Sequence, residues 1–320
     1  MMKLVNAGPM RLMAAFIFCA LVLLPGRSFA AEFEMISYTA YASLHWLKEA
    51  NVPEAKEFAK ATGKETLLST DSIKNYQELK SVNALSHEIC YAAHNRYIEK
   101  NGYKNVMDIA CGFSPRGIYM ARRGIKFVGA EFEPIVVAGT GYIKKCLNTE
   151  QVKLATYEVT DATDRKSMMA TADKMNGPIC IVMDGLMMYL GRDAQADTLQ
   201  NIKAILKKHG GAYITTDFSA REIVMASSKV VYGDTEDARA VFHASAKVYE
   251  DIADARFEQN FFSSSDEAKK FIEAQGLKVE LLPLFDAPTK LYSAKNFDKE
   301  QMKRLDALEK DAFLWVITVK

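Results

Sequence analysis

Histidine and cysteine are scarce in this chain, five of each in 320 residues, and neither is spaced to hold a metal ion. His45, His87, His94, His209 and His243 form no H-E-x-x-H pair or comparable ligand set, so no metal is predicted. Cys90, Cys111, Cys146 and Cys180 are too scattered for a disulfide framework and read as buried, reduced thiols. Neither sign of charge dominates: 41 cations face 40 anions, which leaves no basic field to draw nucleic acid or anionic lipid. No internal repeat or low-complexity linker divides the chain. The apolar run near the start, residues 12–24, holds about thirteen residues where a membrane span needs ~20, so no permanent anchor is expected.

The sequence also lacks the G-x-G-x-x-G frame that lets helix amides approach a pyrophosphate. In its place stands Val106-Met-Asp-Ile-Ala-Cys-Gly-Phe-Ser-Pro-Arg-Gly117, a short apolar strand running into a single-glycine turn and then a helix that begins near Ser114-Pro115. Ala110 and Pro115 occupy positions where the dinucleotide frame has glycine. Asp108, inside the end of the strand, would repel a pyrophosphate but suits a cofactor carrying a cationic amino group. Gly112 permits close approach of backbone to ligand. A second acid, Glu131, follows the strand Lys126-Phe-Val-Gly-Ala130 about twenty residues on, the reach at which a carboxylate accepts both ribose hydroxyls.

These residues resemble class I S-adenosylmethionine-dependent methyltransferases, and among them the leucine carboxyl methyltransferase-like O-methyltransferases. Asp108-Ile-Ala-Cys-Gly-Phe-Ser-Pro-Arg-Gly117 looks like that family's first motif and Phe127-Val-Gly-Ala-Glu131 like its second. Asp184-Gly-Leu-Met-Met-Tyr-Leu190 is similar to its segment after the fourth strand, with Asp184 where the family has glutamate. The resemblance runs from about Ile36 to the C-terminus. It implies S-adenosylmethionine as cofactor, with Asp108, Ala110, Gly112, Glu131 and Asp161 around it. It also implies an arginine from the preceding helix, Arg96, for the cofactor carboxylate, with His94 competing for that place. Asp184 and Tyr189 are the candidate catalytic residues, Asp184 as a base or a cofactor contact. Cys111 takes a turn or packing position rather than that of a nucleophile.

The remaining pattern supplies the elements of a doubly wound, mostly parallel seven-stranded α/β sheet. Residues 156–160 alternate as a third strand, with Asp161 at its tip able to accept from an adenine amino group. Residues 178–183 are wholly apolar and therefore central. Residues 196–208 carry Leu199, Ile202, Ile205 and Leu206 at helical spacing and stop at His209-Gly210-Gly211. Strands at 212–216, 277–282 and 313–319 complete the set, the last forming part of a reversed hairpin. Residues 31–100 read as a helical cap, with helices at 54–61 and 81–100 and aromatics Tyr38, Tyr41 and Trp46 placed to wall a pocket or fill a core. Residues 101–320 form the cofactor domain, with a helical insertion at about 221–275 that is either a lid or plain packing.

Residues 1–30 have the order of a secretory signal: Lys3 and Arg11, then the apolar run, then Pro25-Gly26 and the small residues of Ser28-Phe29-Ala30. A periplasmic or secreted location is expected, or a cytoplasmic one if translation starts at Met35. Cleavage removes Lys3, Arg11 and Arg27 and no acid, so the cations fall from 41 to 38 against 40 anions. Three functions follow: methyl transfer to an oxygen of a small molecule, an exported methyltransferase-fold binding module, and, weakened by the missing glycines, a nicotinamide-dependent oxidoreductase. N-terminal sequencing of protein from fractionated native cells is expected to begin at Ala31; a soluble product beginning at Met35 refutes export.

Overall fold

A computed structural model describes residues 29–64, 76–253, 260–285, 290–308 and 312–320. Of the proposed leader, residues 1–30, residues 1–28 lie outside the described residues, and Phe29 and Ala30 open the first helix. Nineteen elements position the site: α1 (Phe29–Glu49), α2 (Pro53–Ala61), α3 (Tyr76–Lys100), β1 (Asn105–Ile109), α4 (Arg116–Ala121), β2 (Lys126–Glu131), α5 (Glu133–Cys146), α6 (Thr149–Val152), β3 (Ala155–Val159), α7 (Arg165–Ala172), β4 (Ile179–Met183), α8 (Arg192–His209), β5 (Gly211–Thr215), α9 (Ala220–Tyr232), α10 (Glu236–Ala253), α11 (Ser265–Ala274), β6 (Leu277–Pro283), α12 (Lys299–Asp306) and β7 (Phe313–Val319). α2 opens with proline at its first turn, where the missing N–H costs nothing.

The seven strands form one sheet in the order β3-β2-β1-β4-β5-β7-β6. β1 to β5 are parallel, and β7 runs antiparallel between β5 and β6. This is the Rossmann-like methyltransferase architecture expected from the motifs. The reversed strand is the inner member of the terminal pair, which buries Trp315 completely and leaves β6 at the edge. β1 and β4 are buried on both faces, β4 as a wholly apolar run and β1 with the polar Asn105 and Asp108 among its apolar residues.

Strand alternation sorts the side chains into two layers. Val106, Phe127, Cys180, Val182, Ala212 and Ile214 face α1 to α5, α9 and α12. Met107, Ile109, Val128, Ile181, Met183 and Tyr213 face α7, α8 and α11. The predicted stripe Leu199, Ile202, Ile205 and Leu206 is fully buried there. The stretch read as one insertion divides between the layers: α11 packs beneath the sheet, while α9 and α10 lie on α1 and α3. Trp46, Tyr76, Leu79, Val82 and Val241 pack between those four helices. Chain reversal between β3 and β4 makes the C-terminal ends of β1 and β4 a switch point, the place where open sheets gather ligands.

α5 approaches the sheet closely because Gly139 lies against the Tyr157 ring. A Cβ built there would come within 2.9 Å of ring atoms, and one on Gly129 would meet the same ring at 2.9 Å. Gly139→Ala is therefore expected to cost ~1–3 kcal/mol through overpacking, measured as a lower denaturation midpoint. Tyr157→Leu in the same chain should restore part of it, and an unchanged midpoint in the single variant refutes the close contact.

Candidate functional site

Asp108 lies on the face of β1 that looks toward α3, and burial leaves it only 2% exposed. A buried carboxylate needs a cation, and Arg116, 4% exposed in the first turn of α4, provides it with Nη1 2.5 Å from Oδ2. Burial pushes the Asp108 carboxyl up, and the adjacent guanidinium opposes that push. Arg116 also donates from Nε to Asn95 Oδ1 at 3.1 Å, while Nη2 sits 3.4 Å from His94 Nδ1 and the guanidinium lies 5.3 Å from the Tyr91 ring. Arg116 is thus clamped between β1 and α3. Pro115 takes the N-cap position, and Ser114 just before it accepts at Oγ from the Arg116 amide at 3.3 Å.

The glycine turn itself is tightly shaped. Ala110 adopts φ +52°, a left-handed conformation that glycine takes without cost, and Gly112 has φ +52° as well. A Cβ on Gly112 would lie 2.7 Å from the Ala40 carbonyl oxygen, and the Phe113 amide donates to that same oxygen at 3.0 Å. The close approach that Gly112 permits is therefore made by α1. Tyr41 reinforces it, its ring 4.4 Å from Phe113 and its hydroxyl 3.3 Å from that of Tyr142. Trp46 is wholly buried beside Tyr76, stacked at 5.7 Å, and is core rather than pocket wall. The side chain of Tyr38 lies outside the described residues.

Glu131, at the end of β2, turns both oxygens toward backbone: Oε1 accepts from Gly112 N and Oε2 from Phe132 N, each at 2.9 Å. Burial raises its carboxyl pKa, against these two bonds. Asp161, half-buried beyond β3, accepts at Oδ1 from the amide and hydroxyl of Thr163 at 2.9 and 2.7 Å.

Beyond β4, Asp184 is half-buried, accepts from the Thr216 hydroxyl, and has Oδ2 3.9 Å from His94 Nδ1. His94 is wholly buried with its Nε2 unpartnered, and burial pulls its pKa down to about 4, against the nearby Asp184 charge. The imidazole is neutral. Arg96, two residues along α3, is turned about 200° away by the helix and donates to the Leu284 carbonyl at 3.0 Å. The expectation of Arg96 beside the first motif is corrected: His94 and Arg116 reach Asp108 and Asp184. Tyr189 ends the short 3-10 turn Met187–Tyr189, half-buried, with burial first and the Asp217 charge second lifting its hydroxyl pKa to about 12.

Asp217 is a residue that reading by motif misses. It is 4% exposed, and its carboxylate accepts from the backbone amides of Gly185 at 2.5 Å, Leu186 at 3.0 Å and Met187 at 2.8 Å. It thereby shapes the loop that carries Asp184 and Tyr189. Gln195 and Asn260 hold the far side of that loop, donating to the carbonyls of Met187 and Met188 at 2.8 Å each. Among the described residues no group of histidine, cysteine or acidic side chains is arranged to hold a metal ion.

No protein-family model matches the chain, and no curated protein matches it. The fold is similar to several solved structures. A DUF574 family protein from Streptomyces avermitilis aligns at 12% identity with a TM-score of 0.48, over 82% of this chain and 95% of that one. A putative O-methyltransferase from Nostoc punctiforme aligns at 12% identity and a TM-score of 0.42, over 87% and 71%. Magnesium protoporphyrin IX methyltransferase from Synechocystis, solved with bound S-adenosylhomocysteine, aligns at 8% identity and a TM-score of 0.44, over 83% and 94%.

Burial raises the Asp217 pKa first, and the Asp184 charge second, to about 7 from the usual 3.8. A folded-state value above the unfolded one means that the native protein holds a proton the unfolded chain has released. That contribution to stability is present below pH 3.8 and lost as pH rises through about 7. Unfolding free energy is expected to fall over this interval less steeply in Asp217→Asn than in the parent, by up to about 1.4 kcal/mol per pH unit. Parallel pH profiles refute the assignment.

Proposed function

We propose that the protein is an S-adenosylmethionine-dependent O-methyltransferase, of the leucine carboxyl methyltransferase-like kind, acting on a hydroxyl or carboxylate of a small molecule. What carries the reading is the row of carboxylates Asp108, Glu131, Asp161 and Asp184 at the ends of four adjoining parallel strands. The donor set fits the cofactor. Each Glu131 oxygen, already holding one amide, keeps acceptor capacity for a ribose hydroxyl. In this reading Asp161, whose Oδ1 is held by Thr163, accepts from the adenine amino group through its other oxygen. Arg116, rather than Arg96, suits the amino-acid carboxylate, since Asp108, Asn95 and His94 already orient it.

The space is less ready. Ala40 lies on Gly112, so α1 has to lift from the glycine turn before a ligand can lie against it. When bound, the cofactor supplies an electrophilic sulfonium methyl group. The chain then supplies position, worth on the order of 7–11 kcal/mol in favourable cases. Asp184 is the side chain to hold the proton of a hydroxyl acceptor, with neutral His94 beside it and Thr216 orienting the other oxygen. A carboxylate acceptor arrives ionised and needs no base.

The seat of α1 on the turn also favours a second reading, a methyltransferase-fold binding module. Export to the periplasm or medium belongs to this proposal and rests on residues 1–30 alone; with a start at Met35 the location is cytoplasmic. Nothing in the charge balance favours a nucleic acid partner.

Calorimetry is expected to show micromolar-range binding of S-adenosylmethionine and S-adenosylhomocysteine and none of NAD. Hydrogen exchange at the Phe113 amide and along residues 40–49 should change with S-adenosylhomocysteine. Glu131→Ala should weaken binding by roughly 1.5–3 kcal/mol for each ribose bond lost. Asp184→Asn should lower turnover with affinity kept. Absence of binding to either sulfonium-derived ligand overturns the enzyme reading in favour of the module.

A further inference from the structure

The chain is close to neutral as a whole, yet one surface cavity gathers cations. It has a volume of about 540 Å³, a size typical of small-molecule sites, between the end of α1, one face of α2 and the start of α3. Among the described residues its lining includes Lys48, Lys56, Lys60, Lys64 and Lys80, with Glu49 as the one acid. We propose that this cavity is a binding site for a multiply charged oxyanion of the phosphate type.

Three observations carry the proposal. Glu49 is already engaged by Lys80 at 2.5 Å and Lys48 at 3.3 Å, so it does not neutralise the remaining lysines. Lys56 and Lys60 stand four residues apart on one face of α2, a like-charged spacing that costs a helix ~0.2–0.5 kcal/mol. Among the described residues neither has an acid within ion-pair distance. The acid that α2 does use, Glu57, faces the opposite way and pairs with Arg122 at 2.7 Å. Of the two acids of α2, Glu57 is thus directed to the end of α4, while Lys56 and Lys60 line the cavity.

Interaction with the negative ends of the helices accounts for Lys48 and Lys60, which lie in the last turns of α1 and α2. It does not account for Lys56 and Lys64, and Lys80 is held by Glu49. Lys64 has its Nζ 4.4 Å from the centre of the Tyr41 ring, and Ala59 contributes an apolar wall. Ammonium groups act as mobile point charges rather than planar forks, so several of them around one space suit an anion carrying two or more phosphate-type groups. A soluble diphosphate and an anionic lipid headgroup share that chemistry. The site is independent of the methyl-transfer proposal and stands or falls without it.

The test uses the full-length chain at low salt, with calorimetric titration of inorganic pyrophosphate. In parallel, the protein is sedimented with phosphatidylglycerol or phosphatidylcholine vesicles. Saturable pyrophosphate binding that weakens with added salt, and about tenfold or more in Lys56→Gln/Lys60→Gln, supports a soluble phosphate ligand. Sedimentation with phosphatidylglycerol only, lost in the same variant, supports the lipid headgroup. Both lysines are exposed, so the variant should keep the parent's unfolding midpoint; Lys56→Arg/Lys60→Arg should retain binding. The proposal is overturned by absence of binding in both arms, or by binding that the glutamine pair leaves unchanged.

Discussion

The buried pair of Asp108 and Arg116 is the constraint around which the crevice is arranged. A carboxylate 2% exposed in a central strand cannot stand alone, and the guanidinium that matches it has four further N–H donors to fill. Asn95 and His94 meet two of them from α3, so a helix that precedes β1 in sequence is drawn across the ends of the parallel strands. Removing one partner would leave an uncompensated charge in the core, which typically costs 3–5 kcal/mol. The same pair that could orient a ligand therefore also fastens the helical cap to the sheet.

From that crossing the remaining arrangement follows. With α3 held over the switch point, α1 packs beside it and meets the glycine turn, backbone to backbone, at Ala40 and Gly112. A side chain at 112 would disturb this contact before any ligand was involved, so its glycine has a structural reason independent of binding. Ala110 shows the complementary case. It holds a left-handed φ with a Cβ present, a local strain of the kind that survives where neighbours over-determine the backbone, here through the ladder bond from its amide to Ala130 at 2.9 Å.

The sheet was largely legible in the sequence because each strand is a short apolar or alternating run closed by a turn, and such patterns depend only on neighbouring residues. Asp108, Gly112, Glu131, Asp161 and Asp184 were legible for the same reason, each falling at the end of a recognisable strand. Arg116, His94 and Asp217 were less so, since their roles depend on partners brought together by folding. Arg96 shows the scale of the difficulty: a shift of two residues along α3 moves a side chain from the crevice to the Leu284 carbonyl. The close seat of α1 on the turn left no signal beyond small residues, because a backbone contact is written in what is absent from a side chain.

The two acids beyond β4 and β5 show how similar groups diverge by environment. Asp217 is enclosed by three amides, and its pKa rises to about 7 because burial outweighs those bonds and Asp184 adds a like charge. Asp184 is partly exposed, with Thr216 and the neutral His94 on its buried side. Asp217 is thus committed to the loop backbone, and its rigidity is what leaves Asp184 placed at the strand tip yet accessible. The base role proposed for Asp184 needs a fixed position and access together, and Asp217, one strand away, contributes the first of these through the loop backbone.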